Sequence, residues 1–166
     1  MSNALVPVKT DESHGELIQL VSFNLDQEEY GVDVLKVREI IRMPTVTRVP
    51  NTPHYVEGVI NLRGKVIPIV DLRIKFGLPS QEPTERTCII VAEIEVDQRK
   101  VMLGTVVDCV SEVLNIAAEE IEPTPDFGQR LATDYMHGVA KIKGKVKLLL
   151  DLDRVLAADT VVVKAA

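Results

Sequence analysis

The stretch Gly58–Leu72, GVINLRGKVIPIVDL, decides the fold. Two apolar runs flank Arg63-Gly64, and the glycine can supply the positive φ of a tight turn, so the stretch reads as a β-hairpin. Pro68 has no N–H to give to a ladder, which predicts an edge position or a bulge in the second strand. Asp71 caps a short helix over Leu72–Phe76, closed by Gly77. The linker-like LPSQEPTE that follows marks a subdomain boundary.

The hairpin returns. Gly138–Leu152, GVAKIKGKVKLLLDL, repeats both glycines, the first Val, the Lys-Val after the turn and the closing Asp-Leu, 80 positions later, and Tyr55 and Tyr135 keep the same spacing. Gly31–Glu39 (GVDVLKVRE) matches Gly104–Glu112 (GTVVDCVSE) 73 positions later, so the second copy has gained about seven residues between these blocks, in the region 116–130. The chain is read as two copies of one strand-rich unit. Each has about 70 residues and around five short strands, the size of a small barrel such as an SH3-like fold.

Other segments fit this plan. Leu17–Leu25 places Leu17, Val21, Phe23 and Leu25 on one face at period two, with Ser22 and Asn24 on the other, before the charged break at 26–29. Tyr30–Ile41 mixes helix-favouring charges with Val and Ile, and reads as a strand bent near Leu35. Thr52-Pro53 through Gly58 offers an N-cap, a first-position proline and an exit glycine, predicting a single helical turn. Beyond the linker, strands are expected over Thr87–Val96 and Val101–Leu114, then a proline-containing stretch at 123–127 and the second hairpin with its short helix.

Composition narrows the function. The 166 residues carry a net charge of −6, which argues against affinity built on neutralising phosphates, so neither nucleic acid nor an anionic membrane is the expected partner. No apolar run reaches the ~20 residues of a membrane span, and residues 1–15 lack the basic and apolar regions of a secretory signal. Cys88 and Cys109, each within an apolar run, read as reduced, buried structural thiols of a cytoplasmic protein rather than as a disulfide.

No catalytic constellation is apparent. His14, His54 and His137 lie apart from one another and from any Cys, Asp or Glu at ligand spacing, so no metal or cofactor is expected. GVINLRGKV resembles a phosphate loop but fails it: five residues separate Gly58 from Gly64 where four are needed, and Val66 stands in place of the Ser or Thr. Glu39 is less ordinary. On an extended Tyr30–Ile41 it shares a face with Val37 and Ile41, and a carboxylate in an apolar stripe needs a partner. Arg63 at the hairpin tip is the proposed partner; the alternative is a solvated Glu39 at an edge and an ordinary turn arginine.

NLRG (Asn61–Gly64), VIPIVDLR (Val66–Arg73), EYGVDVLKVREI (Glu29–Ile40) and VVDCVSEVL (Val106–Leu114) together resemble the CheW family of chemotaxis coupling proteins, in order and spacing, over about Leu17–Leu156. The resemblance implies a mainly β fold of two small intertwined SH3-like five-stranded β-barrels with a few short helices and a hydrophobic groove between them. Residues 17–80 would form the first barrel and 84–156 the second, with tails at 1–16 and 157–166. It implies a non-catalytic adaptor, cytoplasmic and held at the membrane-associated receptor array. Its partners would be the regulatory domain of the histidine kinase CheA and the cytoplasmic tip of methyl-accepting chemoreceptors.

Carried over by residue, the receptor-binding surface includes Val37, Glu39, Asn61 and Arg63, while the kinase contact falls on exposed apolar residues at the barrel ends. Cys109 departs from the family pattern, which has Gly there, and implies a repacked groove wall. No receiver or kinase domain is expected on this chain. A CheW-like scaffold of a non-flagellar chemosensory pathway, or a small β-barrel enzyme or ligand-binding protein with a pocket between the barrels, are the competing readings. Since Lys141 and Lys143 replace Asn61 and Arg63, the NLRG chemistry is expected in one barrel only.

Overall fold

The computed structural model describes residues 17–123 and 135–157. The first copy supplies β1 (Leu17–Leu25), β2 (Glu28–Asp33), β3 (Val37–Arg42), β4 (Val56–Leu62), β5 (Lys65–Asp71) and the helix α1 (Leu72–Lys75). The second supplies β6 (Cys88–Val96), β7 (Arg99–Val107), β8 (Cys109–Ala117), the two-residue β9 (Ile121–Glu122), β10 (Met136–Ile142), β11 (Lys145–Leu150) and α2 (Leu152–Ala157). The expected stretch at 123–127 lies almost wholly outside the described residues, as do both expected tails but for Ala157.

The strands form two sheets, ordered β8-β1-β2-β11-β10-β9 and β3-β6-β7-β5-β4. Neither sheet coincides with the segments 17–80 or 84–156. The hairpin β1–β2 of the first copy lies among strands of the second, and the hairpin β6–β7 of the second lies among strands of the first. The division at the linker is therefore one of sequence repeats, while each barrel is built from both. The repeat spacings meet at the two parallel contacts: Leu149 pairs with Gly31, and Ile69 with Gly104, so the 80-residue spacing crosses the 73-residue one in space. The capping contacts repeat too, with Asp71 N–H donating to Tyr55 O at 2.8 Å and Asp151 N–H to Tyr135 O at 2.9 Å.

Burial follows from this exchange. In β1, Val21, Phe23 and Leu25 enter the large cluster between the barrels with Val32, Leu72, Ile90, Leu103, Val155 and Leu156, while Leu20 enters a separate cluster inside the second barrel. Ser22 is fully buried, so both faces of β1 are covered. The expected one-sided strand is corrected on this point, and again at Leu17, which is exposed at the strand's start. A register shift between Ser22 and Phe23 where β1 meets β8 accompanies the change of pattern.

Four more expectations are corrected. Tyr30–Ile41 is two strands in different sheets, separated by a 3-10 turn at Val34–Lys36 that Asp33 caps through Leu35 N–H at 2.9 Å. The bend near Leu35 is the crossing between barrels. Val101–Leu114 is likewise interrupted at Asp108, whose N–H donates to Asn24 O at 3.0 Å as the chain crosses back. Thr52–Gly58 holds no helix: Val56 N–H closes a turn onto Pro53 O at 3.0 Å and β4 begins at once, because Val56 is already paired with Val70. Finally, β5 is an inner strand rather than an edge. Pro68 is tolerated because it pairs only with Val59 of β4, and the pairing with β7 starts one residue later at Ile69. The Asp71-capped helix is present, with Phe76 at its C-cap.

Candidate functional site

Arg63 and Gly64 join β4 to β5 with φ of 53° and 87°, the left-handed pair that a two-residue hairpin turn needs. Asn61 supports the turn by accepting a hydrogen bond from Gly64 N–H at 2.8 Å. The turn projects the Arg63 guanidinium onto β3, where Nη1 donates to Glu39 Oε1 at 2.7 Å and Nη2 to Oε2 at 2.5 Å. This is a bidentate fork, the geometry in which arginine is most selective for a carboxylate. Arg63 holds the Glu39 carboxyl below its usual pKa, and Glu39 raises that of Arg63.

The pair faces solvent. The Arg63 side chain is 71% exposed and that of Glu39 28%, and exposed ion pairs add little to stability. The fork is thus a geometrically specific charge pair at an accessible place. The sequence alternative of a solvated Glu39 and an unattached turn arginine is set aside. Glu39 does lie at an edge, since β3 ends its sheet.

Of the four predicted site residues, the structure brings Glu39, Asn61 and Arg63 to one barrel mouth. Val37 lies on the same strand, but a register shift between Val37 and Glu39 turns it toward the cluster between the barrels, whereas Ile41 packs inside the first barrel. Sequence reasoning missed the apolar neighbours: Ile40 on β3, and Val66, the direct partner of Asn61, are both exposed.

It also missed a counterpart in the second barrel. Lys143 Nζ stands 3.8 Å from Glu112 Oε1, at the positions matching Arg63 and Glu39, and Val113 and Val146 are exposed at the positions matching Ile40 and Val66. The 73- and 80-residue spacings carried that signal. Lysine offers a single looser contact where arginine makes two, so the arrangement is repeated but the fork is not.

A cavity of about 580 Å³ opens near the linker and is lined by Asp26, Asp71, Arg73, Arg86, Asp108 and Cys109 among others. Three of its charged groups, Arg73, Asp108 and Asp26, are committed to one another. Arg73 donates to Asp108 Oδ2 at 2.6 Å, Asp26 Oδ1 at 3.5 Å and Pro79 O at 2.9 Å, and Asp71 caps α1 through Arg73 N–H. Burial raises the pKa of Asp71. Cys109 is half-buried, between Arg86 Nη2 and Asn24 Oδ1 at 3.5 Å each; Cys88 is also half-buried and neither forms a disulfide, which corrects the expectation of buried thiols. Among the described residues no three His, Cys, Asp or Glu side chains gather as a metal site, and no helix is long and apolar enough to cross a membrane.

Comparison with known proteins agrees with this architecture. Residues 19–160 match the family model described as CheW-like domain. The chain is 42% identical over 141 residues to the chemotaxis protein CheW of Klebsiella aerogenes, covering 85% of this chain and 82% of that protein. It is 38% identical to that of Rhizobium meliloti, covering 85% and 88%. The crystal structure of the scaffolding protein TtCheW from Thermoanaerobacter tengcongensis superimposes with a TM-score of 0.75 at 34% identity, over 85% of this chain and 93% of that one. With a family match over most of its length and a fold shared with a solved member, the chain belongs to the CheW family.

Proposed function

We propose that this protein is a non-catalytic scaffold of a chemotaxis pathway that couples chemoreceptors to the histidine kinase CheA. The observation that carries the reading is the exposed Glu39–Arg63 fork at the mouth of the first barrel. It is a directional charge pair beside the exposed Ile40 and Val66, on a protein whose buried charges, among the described residues, are used internally. An amphipathic helical tip of a receptor is a suitable ligand: its apolar positions meet the apolar residues, and its polar groups meet the fork. In this reading Val37, Glu39, Asn61 and Arg63 form the receptor-facing surface, Val37 through its effect on the groove wall. The protein acts in the cytoplasm, at the membrane-associated array.

Titration calorimetry with a receptor signalling fragment and with the CheA regulatory domain tests the reading. Binding to both is expected, and binding to neither would sink it. The pair E39R/R63E, which rebuilds the fork with its polarity reversed, is expected to fold normally and to lose the receptor but keep the kinase.

A further inference from the structure

Glu39 and its counterpart Glu112 each follow a β-bulge. Val37 pairs with Ala92 and Glu39 with Val91, so Arg38 is an extra residue in β3 with no partner of its own on β6. Val110 pairs with Phe23 and Glu112 with Ser22, which makes Ser111 the extra residue in β8. Arg38 and Ser111 keep the 73-residue spacing that relates Glu39 to Glu112. Both bulges re-aim their strand in the same way: Val37 and Val110 pack against the cluster between the barrels, while the carboxylate that follows reaches the hairpin cation at its barrel mouth. On a regular strand each valine would share a face with that carboxylate.

The ladder alone does not hold these bulges in place. β3 and β8 each end a sheet and pair on one side only. A bulge moved past Glu39 would turn its carboxylate to the opposite face, away from Arg63.

In both barrels the side chain of the extra residue makes the missing link. Arg38 donates from Nε to Glu93 Oε1 at 2.6 Å and from Nη1 to Leu35 O at 3.3 Å, tying the bulge both to β6 and to the 3-10 turn before it. Ser111 donates from Oγ to Asn24 Oδ1 at 2.7 Å. Glu93 and Asn24 stand at matching places, each just beyond the residue that pairs with the carboxylate: Val91 then Glu93, Ser22 then Asn24, on the same face of the strand. One link is an ion pair and the other a neutral hydrogen bond, yet they join the same two positions.

We propose that Arg38 and Glu93 are positioning residues of the receptor-facing site, a clamp that locks the β3 bulge and so aims Glu39 at Arg63. This rests on reading the Glu39–Arg63 fork as receptor-facing. With the Arg38 side chain 47% exposed, the clamp adds little to global stability, but the place of a bulge in an edge strand is decided by differences of that small size.

The test follows the Glu39 carboxyl through its acid titration by carbon NMR, reads the β3–β6 register from nuclear Overhauser contacts, and measures affinity for a receptor signalling fragment. In wild type Arg63 holds Glu39 below the ordinary 4.5. R38A/E93A removes one charge of each sign, so it acts on Glu39 through geometry; its titration is expected to move up toward 4.5 at a near wild-type melting temperature, and receptor affinity to fall roughly threefold. R38S/E93N installs the link of the second barrel and is expected to restore both. A titration that stays low in R38A/E93A, or is not regained in R38S/E93N, would overturn the proposal. A raised titration with undiminished affinity supports the clamp and counts instead against the fork as the receptor surface. Should R38A/E93A not fold, the Val37–Ala92 and Glu39–Val91 contacts in R38S and R38S/E93N decide: contacts regained only with E93N support the clamp, and equal contacts in both refute it.

Discussion

Ile69 and Gly104 face each other across the parallel pairing of β5 with β7, so closely that a methyl group at position 104 would stand 2.6 Å from Ile69 Cδ1 and 2.8 Å from Ile89 Cγ2. The glycine is there for approach, since its backbone is not in the left-handed region. Gly104→Ala should therefore cost about 1–3 kcal/mol through overpacking against stiff β-branched neighbours. Gly31→Ala, where the nearest atom is the Leu149 tip at 3.2 Å, should cost less. Urea midpoints of both variants check the order; a costlier change at Gly31 would contradict it.

Lys147 lowers the pKa of Glu29 chiefly through its hydrogen bond, with Lys145 adding to the effect against the opposing push of burial. A lowered carboxylate pKa contributes stability that is present above the ordinary value of 4.5 and is lost as pH falls through the depressed one. Lys147→Met removes the main cause, so its stability should decline less steeply than wild type below about pH 4.5. Urea unfolding from pH 7 to pH 3 reads this directly, and parallel curves would exclude the linkage.

Asp71 accepts from Arg73 N–H at 2.9 Å as the N-cap of α1, yet burial raises its pKa. The cap needs an oxygen, not a charge. Asp71→Asn should match or exceed wild-type stability at pH 7, whereas Asp71→Ala should lose about 1 kcal/mol. Thermal melts of the two variants at neutral pH distinguish capping from charge; equal losses would show that the carboxylate itself matters.

Arg63→Lys retains the positive charge but not the fork, and an ammonium contacts Glu39 at one oxygen at a time. Its melting temperature should equal that of wild type, since the side chain is largely in solvent. Its affinity for a receptor fragment should fall roughly tenfold, as expected when an anchoring arginine is lost from an interface. Undiminished affinity would mean that charge alone suffices.

Much of this molecule was legible in residue order because its determinants are local. The Arg63-Gly64 turn, the Asp71 cap and the two hairpins depend on residues a few positions apart, and the duplication shows as fixed spacings. The Glu39–Arg63 pair was also accessible, since a carboxylate in an apolar stripe demands a nearby cation.

The sequence alone thus determined two β units, their hairpin turns and the Asp71 cap, and proposed one charged pair that the structure then formed. Only the tertiary structure decided which strands share a sheet, because the same alternation of apolar residues serves a strand in either barrel. That decision explains why Ser22 is buried, why Tyr30–Ile41 and Val101–Leu114 each break into two strands, and why Pro68 fits within a sheet. The contacts that mark the exchange, Lys147 with Glu29 and Arg73 with Asp108, join residues 118 and 35 positions apart. Partners so distant have no local pattern to announce them; their charges become intelligible once the chain has crossed between barrels.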